Sequence, residues 1–123
     1  MPKVLISDAM DSIAEKILLS NNIEVDVITD YSLEDLIANI STYDGLIVRS
    51  ATKVTKEIIE KAKNLKIIGR AGAGVDNIDL LSAKEKNIIV MNTPGGNTNA
   101  TAEHTLALLL SLSRKIVNAN IST

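Results

Sequence analysis

Gly45-Leu46-Ile47-Val48-Arg49-Ser50 contains the run that decides the fold. Gly45 to Val48 stand without a polar interruption, and a charged residue follows at once. A strand with one wet face alternates polar and apolar residues, whereas a strand covered on both faces does not. The run therefore predicts a buried central strand of a parallel sheet. Similar β-branched runs flank it: Val4-Leu5-Ile6 upstream, ended by Ser7-Asp8, and Ile67-Ile68 and Ile88 to Met91 downstream. Ile23, Val25 and Val27 alternate with Glu24 and Asp26, which predicts an edge strand. Stretches of helical spacing lie between these runs. From Ala9 to Ser20 the apolar residues Met10, Ile13, Ala14, Ile17 and Leu18 recur at three- and four-residue steps, until Asn21-Asn22 ends them. Ser32 caps a second helix reaching Ile40, and Thr55 caps a third carrying Ile58, Ile59 and Ala62. A short helix over Leu80 to Lys86 and a long one over Asn99 to Asn118 complete the set. Five strands alternating with five helices imply parallel pairing through right-handed crossovers, a doubly wound α/β domain.

Composition narrows what such a domain can do. The chain has 123 residues, enough for one core. Thirteen basic against fifteen acidic residues, net charge −2, argue against a nucleic-acid surface. Two tyrosines and no Phe or Trp leave no aromatic platform for stacking bases. The chain has no cysteine, hence no thiolate chemistry, which suits a reducing cytoplasm. No apolar run approaches the roughly 18–20 residues of a membrane span. A single histidine without cysteine predicts no transition-metal site.

Ligands of open parallel sheets bind beyond the carboxyl ends of the strands, so the residues there carry the chemistry. They are Ser7-Asp8, Arg49-Ser50, Gly69-Arg70-Ala71-Gly72-Ala73-Gly74 and Asn92-Thr93-Pro94-Gly95-Gly96-Asn97. Two arginines and two glycine-rich loops on one rim suit a small anion, with Arg49 as a bidentate clamp. Solvated arginines and turn glycines remain the plainer alternative on composition alone. Gly72-Ala73-Gly74 is followed by Val75-Asp76-Asn77, so the third glycine of a G-x-G-x-x-G fingerprint is missing. A phosphate-accepting receiver domain would need an aspartate ending strand three and a lysine after strand five. Val48-Arg49 and Met91-Asn92 stand there instead. A flavin domain would need a hydroxyl-rich loop where Asp8 and Asp11 stand. His104 neighbours Glu103, but adjacent helical residues point about 100° apart, so a structural or interface role is expected for it.

Three ordered motifs carry a family resemblance. Val48-Arg49-Ser50-Ala51-Thr52-Lys53-Val54 resembles a substrate loop of the D-3-phosphoglycerate dehydrogenases, among the D-isomer-specific 2-hydroxyacid dehydrogenases. Gly69 to Asp79 is similar to their second substrate loop. Met91 to Thr98, followed by Ala102-Glu103, is similar to the segment entering their interdomain helix. The resemblance implies a flavodoxin-like doubly wound five-stranded parallel sheet, with residues 1–98 as substrate-binding lobe and 99–123 as a long interdomain-type helix. It further implies that Arg49 and Ser50 contact the carboxylate or phosphate end of 3-phosphoglycerate. Backbone amides of Ala73, Gly74 and Val75 would hold substrate near the nicotinamide, with Ala73 the one backbone contact to cofactor. Asn97 would close the pocket. The family's nucleotide fingerprint and catalytic histidine have no counterpart here. NAD is therefore expected in the full-length enzyme, not bound tightly to this chain, which alone would be inactive. A stand-alone non-catalytic module that binds small anions or self-associates is the alternative. Ala102, Leu106, Leu108, Leu109, Leu110 and Leu112 make the last helix broadly apolar, and a homodimer through that helix is expected.

Overall fold

Each residue of Gly45–Val48 is buried, as the unbroken apolar run requires. The computed structural model describes residues 2–9, 12–49, 51–72, 77–93 and 98–122, the stretch from 112 onward as backbone. Its strands are β1 (Lys3–Ile6), β2 (Glu24–Val27), β3 (Gly45–Val48), β4 (Ile67–Ala71) and β5 (Ile89–Thr93). All pair in parallel, in the order β2-β1-β3-β4-β5, with β3 central and β2 at an edge as its alternation predicts. The helices are α1 (Ser12–Leu19), α2 (Leu33–Asn39), α3 (Lys56–Lys61), α4 (Leu80–Glu85) and α5 (Thr98–Ser122). Among the described residues no helix is long and apolar enough to cross a membrane.

The period of two along each strand sends successive side chains to opposite faces, and both faces are filled. Val4, Ile6, Ile47 and Ile67 pack with Ala14 and Leu18 of α1 and with Ala102 and Leu109 of α5. Leu5, Leu46, Val48 and Ile68 pack on the other face with Leu36, Ile58, Ile59 and Ala83 of α2, α3 and α4. Helix ends follow local chemistry. Ser32 Oγ accepts from Asp35 N at 3.1 Å, and Asp79 Oδ1 accepts from Ser82 N at 3.1 Å. Asn22 (φ 64°) and Asn87 (φ 59°) end α1 and α4 in the left-handed conformation that asparagine tolerates. The Ile23 and Ile88 amides then reach back to Leu18 O and Ala83 O, closing a Schellman turn in each case.

Two strands run farther than the sequence pattern predicts. Gly69, Arg70 and Ala71 were expected in a loop but continue β4, and Asn92 and Thr93 extend β5. Hydrogen bonding explains the difference. β4 lies between two partners, so Arg70 pairs with Val48 on one side and Asn92 on the other whatever its side chain prefers. Glycine is moreover required at 69, where α5 crosses β4. A Cβ there would stand 2.9 Å from Thr105 Oγ1 and 3.2 Å from Thr101 Cγ2 and Met91 Cε. The threonines are buried and tied down: Thr101 Oγ1 donates to Thr93 Oγ1 at 2.9 Å, and Thr105 Oγ1 to Thr101 O at 2.8 Å. Within the helix surface expected to seek partners, Ala102 and Leu109 are thus buried against the sheet, while Leu110 stays 39% exposed.

The amino ends of the strands are held by charge. Asp44 accepts from Lys3 N at 3.0 Å and from Lys66 Nζ at 2.8 Å. Nearby, buried Tyr43 donates its hydroxyl to Asp26 Oδ2 at 2.7 Å, and Lys3 Nζ lies 5.2 Å from the ring centroid. Burial, then the Asp26 carboxylate, raises the phenol well above its ordinary range.

Two outcomes follow from these contacts. Gly69→Ala should lower stability by about 1–3 kcal/mol, the usual cost of overpacking, because Met91 Cε can yield but the short, hydrogen-bonded side chains of Thr105 and Thr101 cannot. An unchanged urea midpoint would contradict the close approach of α5. At alkaline pH, the native state favours neutral Tyr43, so its contribution is complete below the unfolded phenol pKa of about 10. It falls as pH rises beyond that value, because the unfolded chain deprotonates first. Tyr43→Phe should therefore make the decline in stability between pH 9 and 11 (roughly the phenol range) shallower, as measured by denaturant unfolding at each pH.

Candidate functional site

β1 leads into α1 on one face of the sheet, while β3 leads into α3 on the other. Crossovers that part in this way leave a crevice at the carboxyl ends of the two strands, the usual ligand position of such folds. Ser7 and Asp8 enter it from β1, and Arg49 enters from β3. Asp8 is 5% exposed and its carboxylate is fully engaged with the neighbouring loop. Oδ2 accepts from Arg49 N at 2.6 Å and Thr52 N at 3.1 Å, and Oδ1 accepts from Thr52 Oγ1 at 2.5 Å. Ser7 Oγ donates to Thr52 Oγ1 at 3.0 Å. Charge-assisted bonds of this kind offset the desolvation of a buried carboxylate.

Asn77, just past the glycine-rich segment, grips the same loop from the opposite side. Its Nδ2 donates to Arg49 O at 2.7 Å and Thr52 O at 2.6 Å. The backbone bridge between Val54 and Ile78 adds Val54 N to Asn77 O at 2.7 Å and Asp79 N to Val54 O at 2.9 Å. On this anchored backbone the Arg49 side chain is exposed, with Nη1 donating to Ala9 O at 3.3 Å. The Arg70 side chain is half-buried and folds over Gly72, where a Cβ would stand 3.1 Å from Nη1. A cleft of about 340 Å³ opens beside Asp8, lined among others by Ser7, Tyr31, Thr52 and Lys53.

Arg49 is thus at the crevice as expected from sequence. Ser50, Ala73, Gly74, Val75 and Asn97 lie outside the described residues, as do Met10 and Asp11. Arg70 sits inside a strand rather than on a free loop. His104 and Glu103 are exposed on α5, so the histidine is no core residue. The sequence reading placed Asp8 on the rim and Thr52 and Asn77 within the two loops, but gave none of the three a role in holding the site. An aspartate directly after the first strand was the one available signal.

After β4 the chain passes through Asn77 and the bridge at Ile78 before α4 begins at Leu80 behind the Asp79 cap. A carboxylate, that of Asp79, thus occupies the amino end of α4, where it would repel a phosphate. What the arrangement offers is an exposed guanidinium on a peptide held from both sides.

If Asp8 organises the loop, Asp8→Ala should cost about 2–4 kcal/mol, since two amides and a hydroxyl lose a charged acceptor. Asp8→Asn should be milder. Its remaining oxygen can accept both amides, while its NH2 donates to Thr52 Oγ1. Urea unfolding of both variants checks this, and equal losses would contradict the arrangement.

The D-isomer specific 2-hydroxyacid dehydrogenase catalytic-domain model matches residues 4–122. D-3-phosphoglycerate dehydrogenase of Archaeoglobus fulgidus is 50% identical over 120 residues, covering 98% of this chain and 23% of that protein. Among solved structures, a protein of Pyrococcus horikoshii OT3 superposes with TM-score 0.73 at 38% identity, over 98% of this chain and 36% of that one. An NAD+-bound 3-phosphoglycerate dehydrogenase of Entamoeba histolytica gives TM-score 0.71 at 40% identity, over 76% of this chain and 33% of that one. The chain spans 22–23% of the length of these curated D-3-phosphoglycerate dehydrogenases. With the family model matching nearly its whole length, the chain belongs to the D-isomer specific 2-hydroxyacid dehydrogenase family.

Proposed function

We propose that these residues form the substrate-binding lobe of an NAD-dependent 3-phosphoglycerate dehydrogenase, which oxidises 3-phosphoglycerate to 3-phosphohydroxypyruvate for serine biosynthesis. The observation that carries this reading is Arg49, exposed at the crevice on a peptide that Asp8 and Asn77 hold. The 50% identity to a D-3-phosphoglycerate dehydrogenase supports the choice of substrate. Arg49 pairs with one anionic end of the substrate, and its planar fork suits a carboxylate or a phosphate. Holding one end in place sets the orientation of the carbon that is oxidised, a large part of any catalytic advantage. Hydride acceptance belongs to NAD, and the dinucleotide is held by other parts of the enzyme.

In this division of labour the 123 residues supply binding without acid–base chemistry. Their single histidine is exposed beside Glu103 on α5. The 123-residue chain with NAD+ and 3-phosphoglycerate should produce no NADH above background. A rate that persists through repurification would overturn this. 3-Phosphoglycerate titrated into the chain should shift NMR signals around Arg49. Arg49→Ala should weaken that binding by about 10- to 150-fold, the value of a charge-assisted contact. Equal affinity in the variant would remove Arg49 from the site.

A further inference from the structure

We infer that Asn77 is a positioning residue for Arg49, linking the segment after β4 to the loop after β3 so that the guanidinium is aimed in advance. The inference rests on the anion-binding role proposed for Arg49. Direction depends on the backbone that carries a side chain, and at Arg49 both flanking peptides are held. Asp8 takes its N–H at 2.6 Å, and Asn77 Nδ2 donates to its carbonyl oxygen at 2.7 Å. With the peptide planes on either side of one Cα fixed, its two soft dihedrals are fixed as well. Thr52 is treated in the same way, its N–H bound to Asp8 and its oxygen to Asn77 at 2.6 Å. One carboxylate and one amide therefore hold opposite polar edges of the same loop.

The chemistry admits only one orientation of Asn77. Carbonyl oxygens accept and never donate, so the NH2 group must face Arg49 and Thr52. Oδ1 is then buried with no hydrogen-bond donor among the described residues. A buried acceptor left in this state is unfavourable, and an apolar residue of similar size would avoid it. The position therefore depends on its two N–H groups, which act on Arg49 and Thr52. Asn77 is itself immobilised by the Val54 amide on its carbonyl oxygen at 2.7 Å. Asn77 is thereby tied to Arg49, Thr52 and Val54 together, and displacing it should misdirect Arg49 although its charge is intact.

Asn77→Asp keeps the shape but turns a carboxylate toward two carbonyl oxygens, and Asn77→Ala removes the donors with less strain. In the 123-residue chain, either variant should accelerate amide exchange at Arg49 and Thr52 about tenfold. The central-strand amides of Ile47 and Ile68 should keep their rates. Affinity for 3-phosphoglycerate should fall about tenfold in the Arg49 background. That fall should vanish when Arg49→Ala is already present, because residues acting through one another are not additive. Unchanged exchange at the loop would overturn the inference, as would an equal fall in both backgrounds. Unfolding of both variants would make Asn77 a general stability residue and also overturn it. If Arg49→Ala alone leaves affinity unchanged, the anion-binding reading fails by itself, and exchange at Arg49 and Thr52 still decides whether Asn77 holds the loop.

Discussion

A carboxylate taken out of water must be satisfied where it stands, and Asp8 meets that demand with the loop after β3. Neither Lys nor Arg pairs with it in an ion pair among the described residues; two amides and a hydroxyl do the work. The bonds cross the point where the β1 and β3 crossovers part, which packing alone would leave open. The loop that would otherwise span a crevice is drawn into a defined turn. Arg49 owes its place to that turn, and Asn77 meets the same turn from β4. Local order at the crevice is thus built from polar contacts, whereas the layers beneath it are built from burial.

The two edges of the sheet divide the tasks. At the amino ends Asp44 ties β1 to β4 through Lys3 N and Lys66 Nζ, and Tyr43 and Asp26 close the adjoining corner. The Lys66 side chain is 41% exposed, so its ion pair adds modestly to stability and mainly sets strand alignment. The carboxyl ends carry an exposed arginine and hydroxyl-lined space instead. Between the two edges the sheet is held by β-branched and leucine side chains on both faces, and there Gly69 sets how near α5 can come.

Much of this was legible from spacing. Gly45–Val48 announced a strand covered on both faces, the alternation at Ile23, Val25 and Val27 announced an edge, and Ser32 announced a cap; each depends on neighbours only a few residues away. The extension of β4 through Gly69-Arg70-Ala71 was not legible. Glycines suggest a loop to a local reading, while pairing with β3 and β5 is settled by residues distant in the chain. The anchoring at the crevice was hidden for the same reason. Asp8 lies 41 and 44 residues from Arg49 and Thr52, and Asn77 lies 28 and 25 residues from them. An aspartate or asparagine in a loop has the same local signature whether it caps, turns or spans.

The seat of α5 on the sheet has a mechanical side. At Gly69 its contact with β4 is made by a glycine and by threonines joined through directional hydroxyl bonds, which hold more rigidly than the leucine packing farther along the helix. Such a seat fixes the rotation of the helix as well as its distance from the sheet. From Leu109 the helix continues to Ser122, about 20 Å of rod at 1.5 Å per residue. A tilt of roughly 10° at the threonines would move the far end of that rod by about 4–6 Å. Helix α5 thus has the proportions of a lever whose fulcrum lies one strand away from the Arg49 loop.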